Sequence, residues 1–294
     1  MPASSRRRLD AFEARLVDLA TVETEALLAL TIDAGWPHRA ADWSFLLAHG
    51  DGLAAVDDIG RTLGCVWWTL YDPDAARLGM MVTSPRLQAL GAGRWLAQEA
   101  MARLDGRVVG ITAPGATRRL FRALGFGAER RLEKWEGVAQ PLPDAAPPAH
   151  SIRALRPDDL PSVLALDRAA LGCGRGDVLA ALAVASDGVA LERDGAVRGF
   201  ALARPFGRGR ALGPVIAASE ADAAALAAPL IRAAQGQMLR CDAPRAPGAF
   251  TRLLAAAGLG VIDVNAALAR GSGAFAPRDP EGPRCFALAS QTLG

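Results

Sequence analysis

Hydrophobic and polar positions in the first 135 residues alternate between helix-like and strand-like stretches. Apolar residues spaced by three and four favour helices over residues 10–31, 40–49, 91–104 and 117–124. Short alternating or continuous apolar runs favour strands over residues 53–57, 63–70, 77–83, 107–112 and 130–135. The order predicts an α/β (α+β) fold: hairpin strands first, then a strand–loop–helix unit, then a strand–helix–strand unit.

Glycines of this first part recur in the second at a nearly constant offset of 133 to 135 residues. Each matched pair has similar neighbours: a turn before a strand, the start of an apolar run, or the end of a short helix. The pairs are Gly60 with Gly195, Gly64 with Gly199, Gly79 with Gly213, and Gly125 with Gly258. A steady offset of this kind indicates duplication of one domain.

A proline-rich segment separates the two copies. Residues 140–150 contain four prolines and few side chains that could pack in a core, which is typical of a linker. The expected organisation is a first domain at 1–140, a linker at 141–150 and a second domain at 151–294. The length of 294 residues also favours two domains.

The composition argues against a nucleic-acid-binding, membrane-spanning, disulfide-rich or metal-binding protein. The net charge of +2 is too small to indicate a nucleic-acid partner. No charge-free apolar run reaches the length of a membrane span, and no signal-peptide core follows the basic start. Four scattered cysteines, without a C-x-x-C pair, favour neither a disulfide framework nor a metal site. We expect a cytoplasmic protein without a metal.

A glycine-containing turn follows the strand predicted at 77–83 and precedes the helix predicted at 91–104. It reads Gln88-x-x-Gly91-x-Gly93. Glycines let main-chain N–H groups approach an anion, and the start of a helix adds its positive end. The turn lacks the third glycine of a dinucleotide-binding loop, and no strand ending in an acidic residue follows at the required distance. It therefore predicts a phosphate cradle of another kind.

This turn resembles the acetyl-CoA pyrophosphate loop of the GNAT (GCN5-related) N-acetyltransferases. Further motifs resemble the tandem, YitH-like group of that superfamily: Gly35-Trp36-Pro37, Trp67-Trp68 and Gly79-Met80-Met81-Val82. The resemblance implies two tandem GNAT-like domains, each a mixed, mostly antiparallel sheet flanked by helices. It also implies acetyl transfer from acetyl-CoA to a primary amine by direct attack.

The resemblance assigns the cofactor-binding residues. Main-chain groups of Met81, Val82 and Thr83 would pair with the pantetheine arm as an added strand does. The pyrophosphate would be bound by Gln88, Ala89, Leu90, Gly91, Ala92, Gly93 and Arg94. Phe121 stands where related enzymes often carry a tyrosine near the thiol.

Two departures from the residue pattern of the GNAT enzymes leave the catalytic residues unassigned. Phe121 cannot protonate a leaving thiolate, and no carboxylate lies on the strand predicted at 77–83 to act as a base. Without these groups, the protein could still catalyse transfer by holding the amine and the thioester together. The alternative is a non-catalytic acyl-CoA-binding sensor or scaffold.

The second copy lacks the glycine turn. Residues 218–223 carry Glu220 and Asp222 instead, and their charges would repel a pyrophosphate. We expect no CoA binding there, and a degenerate domain that shapes the acceptor cleft or mediates association. The basic turn at 204–210 is interpreted as a solvated hairpin, with an anion clamp as the alternative.

Aromatic residues of the first copy are candidates for the acceptor site. Trp36, His38, Trp68 and Tyr71 could form a wall against an amine, or they could complete the core. Neighbours on a strand face opposite ways, so at least one of Trp67 and Trp68 is expected in the core. The acceptor is a small-molecule or peptide amine of unknown identity. The sequence leaves open the acyl chain and the choice between monomer and homodimer.

Overall fold

The computed structural model describes residues 6–9, 12–71, 74–85, 90–143 and 151–294. The chain divides into two compact units, Met1–Val109 and Gly110–Gly294. Most of the proposed linker, residues 144–150, lies outside the described residues. The division into domains at 1–140 and 151–294 stays a prediction from the internal repeat.

The first unit is an antiparallel sheet with helices. Its strands follow one another in chain order across the sheet. They are β1 (Arg6–Leu9), β2 (Phe12–Asp18), β3 (Asp51–Asp57), β4 (Thr62–Tyr71) and β5 (Ala75–Thr83). The helices are α1 (Thr24–Asp33), α2 (Ala40–Ala48) and α3 (Ala92–Arg103).

The second unit contains a mixed sheet with five helices in its described part. The strands are β6 (Val108–Ala113, which begins at the end of the first unit), β7 (Gly127–Val138), β8 (Ser151–Ala154), β9 (Asp187–Arg193), β10 (Ala196–Phe206), β11 (Gly209–Ala217), β12 (Met238–Pro244), β13 (Gly260–Arg270) and β14 (Arg284–Ala287). The helices are α4 (Arg118–Ala123), α5 (Leu160–Leu171), α6 (Gly176–Val184), α7 (Glu220–Ala233) and α8 (Ala249–Ala256).

Strand order in the second unit is β6-β13-β7-β12-β11-β10-β9-β8, and β14 pairs with β11. The β11–β12 pair is parallel, whereas β7 is antiparallel to both β12 and β13. The predicted fold class, a mixed and mostly antiparallel sheet flanked by helices, is confirmed. The long strand β7, which comes from the first copy of the repeat, is inserted between two strands of the second copy.

The repeated glycines occupy equivalent places. A Cβ on Gly64 would lie 2.9 Å from the carbonyl oxygen of Val82 and 3.2 Å from a Leu96 methyl. A Cβ on Gly199 would meet Ile216 and Leu226 in the same way, at 2.8 and 3.1 Å. In both copies a side chain at this position would push the neighbouring strand and the packed helix away, which explains why glycine stands there.

The predicted helix over residues 10–31 is wrong in its first part. Residues 12–18 form strand β2, and α1 begins only at Thr24. Ala14 and Leu16 are buried while Glu13 and Arg15 are exposed, so the burial has the period of two that a strand requires. Pairing of β2 with β3 uses this alternation. The other helices predicted in the first copy agree with α2, α3 and α4 to within a few residues.

Two tryptophans anchor the core of the first unit. Trp67 is fully buried on β4 and donates its indole N–H to the carbonyl oxygen of Leu46, at 2.8 Å. Trp43 is also fully buried, with its indole N–H 3.4 Å from the Thr31 hydroxyl. Trp68 is buried as well, because β4 is covered on both faces.

Within the described residues, no helix is both long and apolar enough to cross a membrane.

An ion-pair network fixes the start of the second copy. Asp159 accepts two hydrogen bonds from the Arg153 guanidinium, at 2.7 and 2.9 Å, and a third from the main-chain N–H of Arg156, at 2.8 Å. Arg153 also contacts Glu192 of β9. Hydrogen bonding from Arg153, opposed by burial, holds the pKa of Asp159 below its usual value.

Replacing Asp159 by Asn should lower the free energy of unfolding by about 2 kcal/mol at pH 7, because charge-assisted hydrogen bonds are lost. A carboxyl with a lowered folded-state pKa stabilises the fold above its unfolded value, near 3.9, and that stability is lost as pH falls further. The difference between wild type and Asp159→Asn should therefore shrink below about pH 4.

Denaturant unfolding at pH 7 and at pH 3 measures both effects. The matched control is Asp158→Asn, since Asp158 is the exposed neighbour in the same turn. An equal loss in both variants, or a pH-independent difference, would contradict the role given to Asp159.

Candidate functional site

A bulge interrupts β5 next to the predicted cofactor turn. Cys65 of β4 pairs with Val82 and Trp67 pairs with Gly79, so Met80 and Met81 together face the single residue Val66. Met80 has φ +46°, a left-handed conformation that is unfavourable for a side-chain-bearing residue. Such strained bulges turn main-chain groups away from the regular ladder and are frequent beside functional sites.

The buried Cys65 thiol supports the bulge from the neighbouring strand. It donates to the carbonyl oxygen of Met80, at 3.4 Å. Burial raises the pKa of this thiol, so it stays a neutral donor and is not a nucleophile. Cys65 therefore has a structural role beside the bulge.

Helix α3 begins at a glycine of the predicted cofactor turn. Gly91 is the N-cap residue in a left-handed conformation, with φ +86°, and its carbonyl oxygen accepts from Trp95 N–H at 3.0 Å. The first turn of the helix carries no acidic residue. The N–H groups of Ala92, Gly93 and Arg94 have no partner within a regular helix, which makes this end suitable for an anion.

The two glycines of the turn differ in what they permit. Gly91 needs its positive φ, although a Cβ there would meet nothing within 4 Å. Gly93 has an ordinary backbone conformation, and a Cβ there would approach only the Thr83 methyl, at 3.9 Å. Leu90 is exposed, whereas Gln88 and Ala89 lie outside the described residues.

The structure separates the aromatic candidates into two pairs. Trp36 and His38 are half-buried in the loop between α1 and α2, with ring centroids 5.9 Å apart. Trp68 and Tyr71 lie on β4 and are only 6% and 1% exposed. Of the four, Trp36 and His38 are the side chains that still present surface.

The basic turn at 204–210 is a hairpin between β10 and β11 whose arginines have protein partners. Arg204 lies over the Phe206 ring, 4.8 Å from its centroid. Arg208 contacts Glu136, at 3.1 Å, and Arg210 contacts Asp187. These contacts favour the hairpin interpretation over an anion clamp.

Comparisons with known proteins agree with the fold. Residues 163–279 match the model of a GNAT acetyltransferase domain. The Bacillus subtilis (strain 168) protein "Uncharacterized N-acetyltransferase YitH" is 25% identical over 234 residues, which cover 78% of this chain and 82% of that protein.

Among solved structures, a Pyrococcus horikoshii protein named as an acetyltransferase has a TM-score of 0.77 at 16% identity, over 95% of this chain and 96% of that one. A tandem GNAT protein from the clavulanic acid biosynthesis pathway has a TM-score of 0.65 at 15% identity, over 88% and 99% of the two chains. This chain has the fold of tandem GNAT proteins. The proteins that it resembles are named as acetyltransferases or GNAT proteins.

The family match falls on the second GNAT copy, where the equivalent helix start is capped by a side chain of the chain itself. The Ser219 hydroxyl accepts from Asp222 N–H, at 3.1 Å, and so caps α7. Glu220 accepts from the N–H of Phe250 at the start of α8, at 2.9 Å. The amides of α7 and α8 that could bind an anion are thus partly used by the chain itself.

Phe121 belongs to α4 in the second unit. Its ring is 1% exposed and packs edge-on against Phe126, with centroids 5.3 Å apart. It supplies no hydroxyl group.

Among the described residues, no cluster of three or more His, Cys, Asp or Glu side chains could hold a metal ion.

Sequence reasoning missed the bulge at Met80 and the role of Cys65 beside it. A strained main-chain conformation at a methionine leaves no mark in the pattern of apolar residues. The neighbouring Gly79, matched by Gly213 in the second copy, was the one available signal that these strands are irregular there.

Proposed function

We propose that this GNAT protein transfers an acetyl group from acetyl-CoA to a primary amine, with the cofactor bound by the first copy. The observation that carries the proposal is the bulged end of β5 running towards a helix start without acidic residues. A strand edge suits an extended amide-containing arm, and a bare helix start suits a pyrophosphate.

The residues present fit such a cofactor. Main-chain groups of Met81, Val82 and Thr83 would pair with the pantetheine arm. Residues 88–94 would surround the pyrophosphate, with the exposed Arg94 side chain available as a counter-ion. The left-handed Gly91 leaves open space where a side chain would otherwise stand.

Acetyl-CoA supplies an activated thioester that an amine can attack directly. The role of the protein is then to hold the two reactants in line, and such positioning accounts for much of the barrier reduction. A general acid typically adds about 10²- to 10⁴-fold. Phe121 supplies none, so we expect slow turnover unless a bound water serves.

The acceptor is proposed to contact Trp36 and His38. Both side chains are half-buried and adjacent, which leaves an aromatic surface for the carbon frame or the cation of an amine. Trp68 and Tyr71 are less well suited as contacts, since both are packed within the core. The class of amine stays open between small molecules and peptides.

A second candidate, a non-catalytic acyl-CoA sensor, is favoured by one observation. By the resemblance, Phe121 stands where related enzymes often carry a tyrosine, and its ring is packed against Phe126. A protein that only binds acyl-CoA would keep the β5 edge and the α3 start and would need no proton donor. Turnover distinguishes the two candidates.

Gly93→Val should weaken CoA binding about tenfold or more while leaving the protein folded, because the added side chain covers the amides at the helix start. Isothermal calorimetry with CoA measures the affinity, and circular dichroism checks folding. Gly260→Val is the control, since a Cβ at Gly260 meets nothing within 4 Å and a Cβ at Gly93 meets only the Thr83 methyl, at 3.9 Å. Unchanged affinity in Gly93→Val would refute the pyrophosphate site.

Phe121→Tyr should raise kcat for thiol release from acetyl-CoA by about 10²-fold, because it restores a proton donor, with little change in KM. The assay follows free thiol in the presence of a panel of amines. Phe126→Tyr makes the same chemical change in the packing partner and should not raise kcat. Tight CoA binding without turnover in the wild type and in Phe121→Tyr would favour the sensor.

A further inference from the structure

The final strand β14 lies where β11 and β12 separate. The two parallel strands pair at Arg210, Ala211 and Leu212 of β11, opposite residues 239–241. A bulge follows, since Leu202 of β10 faces both Gly213 and Pro214. From Val215 onwards, β14 pairs with the edge of β11 that faces away from β10.

The chain after β14 is bonded to β12 as well. The N–H of Leu288 donates to the carbonyl oxygen of Asp242, at 2.8 Å, and the Gln291 amide donates to the Asp242 carboxylate, at 2.8 Å. A Cβ on Gly213 would lie 1.9 Å from the Leu288 carbonyl oxygen, so this close approach requires glycine. Residues 284–294 therefore form a wedge, hydrogen-bonded to β11 on one side and to β12 on the other.

A buried ion pair secures the far end of this wedge. Arg175 is held by two hydrogen bonds to Asp167, at 2.8 and 3.0 Å, and donates to the carbonyl oxygens of Leu293, at 2.9 Å, and Gly294. The side chains of Arg175 and Asp167 are at most 1% exposed. The Ser290 hydroxyl accepts from Leu293 N–H, at 3.1 Å, which closes the turn.

The repeat identifies the edge that the wedge covers. With the offset that relates Gly79 to Gly213, Val215–Ala217 correspond to Met81–Thr83, the residues proposed to pair with the pantetheine arm. Both segments lie at a bulge: Val215–Ala217 follow the bulge at Gly213 and Pro214, and Met81–Thr83 begin within the bulge at Met80 and Met81. In the second copy, the equivalent main-chain groups are paired with β14.

We propose that residues 284–294 are an internal occupant of the cofactor groove of the second copy, taking the strand edge that an acyl-CoA arm would use. This inference rests on the proposed function, which identifies the groove. It explains how the second copy is complete without a ligand, and it restricts CoA to one site per chain.

Hydrogen–deuterium exchange with mass spectrometry tests this on the full chain, with and without saturating CoA. Without CoA, the amides of 215–217 and 284–287 should exchange slowly, and CoA should leave them unchanged. CoA should slow exchange at residues 90–95 of the first copy.

Gln291→Ala removes the hydrogen bond to Asp242 and should speed exchange at both 284–287 and 215–217 by about tenfold, because a weakened wedge opens more often. Gln235→Ala is the matched control at an exposed position of the same unit and should change neither segment. Faster exchange in β14 without any change in β11 would overturn the inference.

The two proposals fail in different ways. If CoA slows exchange at 90–95 and also at 215–217, or displaces 284–294, only the internal occupant is refuted. If CoA slows exchange in neither copy, the proposed function fails, and the inference fails with it.

Discussion

The main-chain groups at the edge of a separating strand need partners, and this constraint connects the two copies of the GNAT fold. Buried N–H and C=O groups without partners are costly, so a strand that leaves its neighbour must acquire a substitute. In the second copy, β14 is that substitute for β11. We propose that a pantetheine arm plays the same part for β5 in the first copy.

The two copies differ at their helix starts in the same way as they differ at their strand edges. Ser219 and Glu220 use amides of α7 and α8 within the chain. Gly91 brings no side chain to the start of α3, and the first turn there carries no acidic residue. A copy whose β11 edge pairs with β14 and whose helix starts receive its own side chains is less suited to an anionic, amide-containing ligand than a copy whose α3 start carries no acidic residue.

Local sequence patterns predicted most of the helices and strands of the first copy, but they could not predict which distant strands pair. The glycine at position 64 could be matched to that at 199 because close strand and helix contacts demand glycine in both copies. The helix predicted over 10–31 is wrong at 12–18, where burial alternates with a period of two and the chain forms strand β2 instead. The insertion of β7 between β12 and β13 depends on pairing between residues 100 or more positions apart, which no local periodicity reports.

The candidate site was predictable where it depends on residue type and not where it depends on backbone strain. Gly91 and Gly93 stand out by spacing, whereas the bulge at Met80 is visible only in three dimensions. The match to a GNAT acetyltransferase domain, at 163–279, lies in the copy whose groove we propose to be filled by its own chain. We propose that cofactor binding depends on a few main-chain groups in the other copy, where the sequence needs only glycines and a helix start without acidic residues.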